Sequence, residues 1–147
     1  MRRAITYEGQ AAIELEMLAG SGAGATDAQD AYSYGLDRAD GASLVRLAPL
    51  FDGLLDDLVR GEPSGRIARR FHATVIDMVV AVSRAIAEET GVWTAALSGG
   101  CFQNRLLLEG AVPALRAAGF RVLVHRQVPA NDGGISLGQA AVAALAE

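Results

Sequence analysis

Two glycine-bearing stretches carry the residue types from which an anion or metal site is built: LSGGCFQN at 97–104 and PANDGGISLGQA at 129–140. In the first, Ser98, Gly99 and Gly100 follow an apolar run and precede a helical pattern. Paired glycines let the backbone approach a ligand closely, and the next helix offers N–H groups and its positive dipole end to an anion. The same pair would serve equally to turn the chain. A GxxxxGK[ST] phosphate loop is excluded, because the chain has no lysine. The Asn104 amide can donate and accept at once, so it either holds a hydroxyl or phosphoryl oxygen or caps the helix. Cys101 lies beside a helix start that would favour its thiolate, but it sits among small and apolar residues and reads as a small core residue.

In the second stretch, Asp132 precedes Gly133 and Gly134 at the mouth of a helical pattern. A carboxylate there binds a hard cation that bridges to phosphate, or it caps the helix. Near the N-terminus, Glu8 and Glu14 flank Gly9 in TYEGQAAIELE. Glu14 could accept hydrogen bonds from a ribose diol, or simply be solvated. His72 falls in a long helix and His125 in a strand, without HxxxH or HExxH spacing, and both read as structural.

The elements that must position these groups follow from hydrophobic periodicity. RRAITYEG reads as β-favouring, and QAAIELEMLA as a short helix. The glycine-rich stretch 20–30 reads as an exposed loop. AYSYGLD and ASLVRLAPLFDGL are candidate strands joined through Asp40 and Gly41, with Pro49 ending the second. FDGLLDDLVRG forms a short helix closed by Gly61. The longest helix spans 66–91, with Ile67, Phe71, Val75, Met78, Val82 and Ile86 at three- and four-residue steps and Gly91 as its stop. VWTAALSGG is a strand, NRLLLEGAVPALRAAG a helix bent near Pro113 with Gly119 at its C-cap, FRVLVHR a strand, and ISLGQAAVAALAE a final helix. This alternation predicts an α/β layered domain with parallel strands, whose carboxyl ends carry both glycine turns.

The bulk numbers bound the function class. The chain has 147 residues, half of them hydrophobic, and a formal charge of −4. One domain with a sizeable core is expected, without a general affinity for nucleic acid or an anionic membrane. A single cysteine excludes an internal disulfide and a multi-cysteine zinc site. No apolar run approaches the ~20 residues that span a bilayer, and no signal peptide is evident, so a cytoplasmic location is expected.

Taken in order, TYEGQAAIELE, LSGGCFQNRLLLE and VPANDGGISLGQA, with RIARRFHATVIDMV before the second, resemble the C-terminal region of the HypF carbamoyltransferase family. The resemblance covers essentially the whole chain. It implies a ribonuclease-H-like, actin-like (ASKHA) lobe, a mixed sheet flanked by helices, with nucleotide and metal held between two such lobes. It further implies that ATP and carbamoyl phosphate yield carbamoyl adenylate. The carbamoyl group then passes to the C-terminal cysteine of a HypE-like acceptor, for the cyanide ligand of [NiFe]-hydrogenases.

Carried over by motif, Ser98, Gly99, Gly100, Asn104, Gly133 and Gly134 resemble the nucleotide-binding turns, and Gly9 and Glu14 the ribose position. Asp132 resembles the carboxylate on a divalent metal. Cys101 stands where relatives usually carry valine, which marks it as a bystander. The family's histidine pair, zinc-finger, YrdC-like and acylphosphatase-like parts are absent, so the chain is expected to be one lobe of a larger catalytic domain. Two other readings are a related tRNA threonylcarbamoyladenosine or O-carbamoyltransferase lobe, and a catalytically inactive nucleotide-binding or assembly module.

Overall fold

The computed structural model describes residues 4–20, 30–39 and 42–145. In chain order these form α1 (Gln10–Gly20), β1 (Gly35–Ala39), β2 (Ala42–Arg46), α2 (Ala48–Val59) and α3 (Ser64–Thr90). There follow β3 (Thr94–Leu97), α4 (Arg105–Ala117), β4 (Arg121–Val124) and α5 (Ile135–Leu145). The loop expected over 20–30 and the Asp40–Gly41 turn fall almost wholly outside the described residues. Residues 4–9 are irregular although their residue types are β-favouring.

The core forms where α4 crosses α3. Leu107, Ala111 and Leu115 recur at four-residue steps on α4 and are buried, as one apolar stripe of an amphipathic helix must be. Ala111 and Leu115 cluster with Ala87, Leu97 and Phe120, flanked by Val79, Val80, Ala95, Val122 and Val124. The Trp93 ring packs on Phe120 at 5.1 Å between centroids. Helix α3 ends at Gly91, whose left-handed backbone (φ 73°) lets its N–H reach Ala87 O at 2.8 Å. Helix α4 runs through Pro113, which lies on its exposed face.

The expected single mixed sheet is not observed among the described residues. Instead β1 and β2 form an antiparallel hairpin, Gly35↔Arg46 to Ala39↔Ala42, while β3 and β4 pair in parallel, Thr94↔Arg121 to Leu97↔Val124. Apart from Gly35 and Val45, every residue of the hairpin strands is exposed. The hairpin therefore leans on α3 rather than extending the parallel pair.

Residues 31–34, expected to open a strand, are held by α2 and α3 side chains instead. Tyr32 N donates to Thr74 Oγ1 (2.8 Å), Tyr32 Oη to Asp57 Oδ2 (2.8 Å) and Tyr34 Oη to Asp77 Oδ2 (2.7 Å). The Arg70 guanidinium lies 4.1 Å from the centre of the Tyr32 ring and pairs with the buried Asp57 carboxylate. The Tyr32 backbone donor, taken by a threonine hydroxyl, is thereby withdrawn from a strand ladder. Burial raises the Asp57 carboxyl. The hydrogen bonds from Tyr32 and Arg70, with the Arg70 charge, outweigh it and hold the group below the usual carboxylate range.

Helix α5 stands apart. All its residues are exposed, including Ile135, Leu137, Val142 and Leu145, although its composition is almost wholly apolar. Among the described residues no helix is long and apolar enough to cross a membrane.

Candidate functional site

The register Leu97↔Val124 places Ser98 and His125 side by side, each the first residue beyond the carboxyl end of its parallel strand. Ser98 Oγ and His125 Nε2 are 2.9 Å apart. Ligands gather at this end of a parallel sheet because the strands stop and the chain turns there into helices. Gly99 makes the turn with φ 100° and ψ 160°, a backbone conformation essentially reserved for glycine. Its N–H donates to Ala130 O at 2.8 Å. That bond joins the first turn to the second, so the two glycine motifs, some thirty residues apart, share one end of the molecule.

Beyond Gly99 the chain makes a 3-10 turn, Gly100–Gln103, and enters α4 at Asn104. The N–H groups of Gly100 and Cys101 open that turn and have no acceptor within it. Phe102 points inward onto the core, whereas Cys101 is exposed. The core position expected for Cys101 is thus corrected: the inward place on the turn belongs to its neighbour. Asn104 is the helix cap, its Oδ1 accepting from Leu107 N at 2.9 Å, and its Nδ2 reaches His72 Nε2 at 3.0 Å. The first N–H of α4, on Arg105, donates to the Glu16 carboxylate of α1 at 2.7 Å. A side-chain anion thus sits at the positive end of this helix.

The second turn is built the same way. Asn131, not Asp132, supplies the cap: its Oδ1 accepts from Gly133 N (3.1 Å) and its carbonyl from Gly134 N (3.0 Å). The Asp132 carboxylate is left exposed at the opening of the turn. A Cβ at Gly134 would come within 2.9 Å of Pro129 O, so the tight return of the chain requires glycine there. Between the turns lies an open pocket of about 170 Å³. Leu97, Phe102, Leu108, Val124 and Val128 make it mainly apolar, and Gln103 and His125 supply its polar groups.

Of the residues singled out in the sequence, Ser98, Gly99, Gly100, Asp132, Gly133 and Gly134 are thereby brought to one end of the fold. Gly9 and Glu14 are on another element: Gly9 precedes α1, with its carbonyl accepting from Ile13 N, and Glu14 accepts from Gln10 Nε2 at 2.8 Å. Helix α1 approaches the site through Glu16, which the sequence reading passed over. His125 was also missed as a site residue. The signal that would have found it is positional: like Ser98, it follows a parallel strand directly. Among the described residues no three His, Cys, Asp or Glu side chains group to hold a metal.

The family model described as carbamoyltransferase, Kae1-like domain, second subdomain, matches residues 1–139. The chain is 36% identical to carbamoyltransferase HypF2 of Cupriavidus necator, over 97% of the chain and 20% of that protein. It is 33% identical to carbamoyltransferase HypF of Synechocystis sp., over 92% of the chain and 16% of that protein. A crystal structure of full-length HypF in a phosphate- and nucleotide-bound form superposes with a TM-score of 0.86 at 37% identity, covering 97% of this chain and 18% of that one. The chain therefore spans about a fifth or less of the length of these relatives.

Proposed function

Since the chain belongs to the HypF carbamoyltransferases, as the second subdomain of their Kae1-like domain, we propose that it forms one wall of a nucleotide cleft in a longer enzyme. In this reading the chain is a ribonuclease-H-like, actin-like lobe, and the opposite wall comes from the first subdomain. The observation that carries it is the Gly99 N to Ala130 O bond, which sets two helix-leading glycine turns side by side at the carboxyl ends of β3 and β4. Three features support the single-lobe assignment. Helix α5 is apolar and uncovered, and the outward Leu123 of the parallel pair is exposed. Parallel sheets and uniformly apolar helices are ordinarily covered on both sides. The pocket's 170 Å³ also falls short of the ~300 Å³ or more of a complete small-molecule site.

The reaction is ATP-dependent carbamoyl transfer. Water cleaves carbamoyl phosphate to carbamate and inorganic phosphate, and a carbamate oxygen attacks the α-phosphorus of ATP, displacing pyrophosphate to give carbamoyl adenylate. The thiolate of the C-terminal cysteine of a HypE-like acceptor attacks the carbamoyl carbon, the C–S bond forms, the C–O bond to phosphate breaks, and AMP leaves with the electron pair. Negative charge grows on phosphoryl oxygens in these steps. The N–H groups of Gly100 and Cys101, with the Ser98 hydroxyl beside them, would be the donors that meet that charge. Glu14 and Gly9 are assigned to the ribose side, on the element next to the α4 start. Asn104 acts through the α4 cap, and Gly133 and Gly134 shape the second turn.

A divalent metal, when bound, supplies Lewis-acid stabilisation of the phosphate oxygens. Asp132, exposed at the opening of the second turn, would contribute to holding it, with the remaining ligands drawn from elsewhere in the longer protein. Calorimetry of ATP and AMP with the full-length enzyme tests the reading. Binding is expected, and Gly134→Ala should weaken it about tenfold by displacing the turn. Unchanged affinity in a folded Gly134→Ala enzyme would place the nucleotide elsewhere.

A further inference from the structure

His72 is nearly sealed within α3, only 4% exposed, and both of its ring nitrogens are engaged. Nδ1 lies 2.7 Å from the Ala68 carbonyl oxygen, and Nε2 lies 3.0 Å from the Asn104 side-chain nitrogen. A carbonyl oxygen only accepts, so Nδ1 carries the proton. The Leu107 N–H only donates, so Asn104 presents Oδ1 to it at 2.9 Å and Nδ2 to His72, and Nε2, facing an N–H, accepts through its lone pair. The main chain of Asn104 is tied as well, its N–H to Cys101 O at 3.2 Å and its carbonyl to Leu108 N at 3.0 Å. One residue thus links the 3-10 turn Gly100–Gln103, the first turn of α4 and the N-terminal half of α3.

We infer that His72 is a positioning residue for the glycine turn: its unprotonated Nε2 holds the Asn104 amide in the one orientation that caps α4. Through that cap it sets where the Gly99–Gln103 backbone presents its donors. An amide left to itself exchanges oxygen and nitrogen by a half-turn at little cost. The turned form would withdraw the acceptor from Leu107 N and face a donor to it. The buried imidazole lone pair removes that alternative, because only the nitrogen end of the amide can face it. Phe71 meets the imidazole edge-on, at 6.3 Å and 83°, which fixes the ring plane that aims the lone pair. The consequence for ligand binding rests on the nucleotide-cleft reading, whereas the capping itself does not.

Measurements on the chain and on the full-length enzyme separate these. In the 147-residue chain, nitrogen-15 NMR of His72 should report a protonated Nδ1 and a bare Nε2; a proton on Nε2 would overturn the assignment. Amide exchange at Leu107 should quicken about five- to tenfold in His72→Phe, which offers no acceptor. It should return towards the parent rate in His72→Gln, whose amide oxygen can accept in place of Nε2. If His72→Phe does not fold, the His72→Gln rate and the tautomer of the parent protein still decide the point. In the full-length enzyme, His72→Phe should raise the KM for ATP about five- to tenfold with kcat changed less, and His72→Gln should recover most of it. Parent-like KM in His72→Phe refutes the positioning role. A parent enzyme that binds no nucleotide refutes the cleft, while the Leu107 exchange rates still stand or fall alone.

Discussion

Gly110 on α4 faces Ile76 on α3, and the two helices approach so closely there that opposing effects meet in one substitution. A Cβ placed on Gly110 would lie 2.2 Å from Ile76 Cδ1 and 3.2 Å from Ile76 Cγ1. Carbon atoms in contact rest about 3.5–4.0 Å apart, so the overlap at Cδ1 exceeds 1 Å. Helix propensity favours alanine over glycine by about 1 kcal/mol in a helix interior. Overpacking a filled core costs about 1–3 kcal/mol. Ile76 is buried, and Ala111 and Leu115 beside Gly110 are wholly buried, so the neighbours have little room to yield and the upper half of that range applies. Gly110→Ala should therefore destabilise the protein by about 1–2 kcal/mol net.

Ile76→Val removes Cδ1 and alone should cost about 0.5–1.5 kcal/mol. Adding Gly110→Ala to it meets only Cγ1, so the propensity gain returns and the double variant should match or exceed Ile76→Val. Urea unfolding of the four proteins, compared as a double-mutant cycle, measures this coupling at about 2 kcal/mol. A stabilised Gly110→Ala, or a double variant whose cost is the sum of the singles, would show that α3 and α4 are not in contact at this point.

Other outcomes follow from the same geometry. Asp57→Ala strips the buried partner of Tyr32 and Arg70 and should cost about 2–3 kcal/mol at pH 7. That is less than the fullest penalty for a broken buried pair, because Arg70 keeps its bond to Asp30 O at 2.9 Å. Since the folded Asp57 pKa is lowered, its stabilisation is present above the ordinary aspartate value of about 3.9 and is lost as pH falls through the folded one. The gap between parent and variant in thermal or urea unfolding should narrow below about pH 4; a gap independent of pH contradicts the pairing. Gly99→Ala forces a side chain into a φ 100° conformation and should weaken ATP binding by the full-length enzyme about tenfold or more, read by calorimetry. Cys101→Val should leave carbamoyl transfer by the full-length enzyme unchanged, and a folded but inactive variant would give the thiol a role.

Much of the fold was legible in the sequence, because local signals and the final structure agree there. The periodic stripes of α3 and α4, the stop at Gly91 and the strand–glycine–helix order of residues 94–145 are written in nearest-neighbour chemistry. The family, too, is readable from LSGGCFQN and PANDGGISLGQA. Other features depended on which distant groups meet. Residues 31–34 have strand-forming side chains, yet Thr74 takes the Tyr32 backbone donor and Asp57 and Asp77 hold the tyrosine hydroxyls, and no propensity scale contains those distant partners. Asn131 rather than Asp132 caps the second turn because hydrogen-bond geometry, not charge, decides between adjacent candidates. Cys101 faces outward because Phe102 fills the inward place.

The amino-acid order alone indicated most of the elements, their succession and the two glycine turns, since each is governed by interactions within a few residues. Only the tertiary structure decided that Gly99 and Ala130 join those turns, that His125 stands beside Ser98, and that His72 reaches Asn104 across 32 positions. Those pairings are set by how helices and strands pack against one another, and packing distance is not a function of separation along the chain.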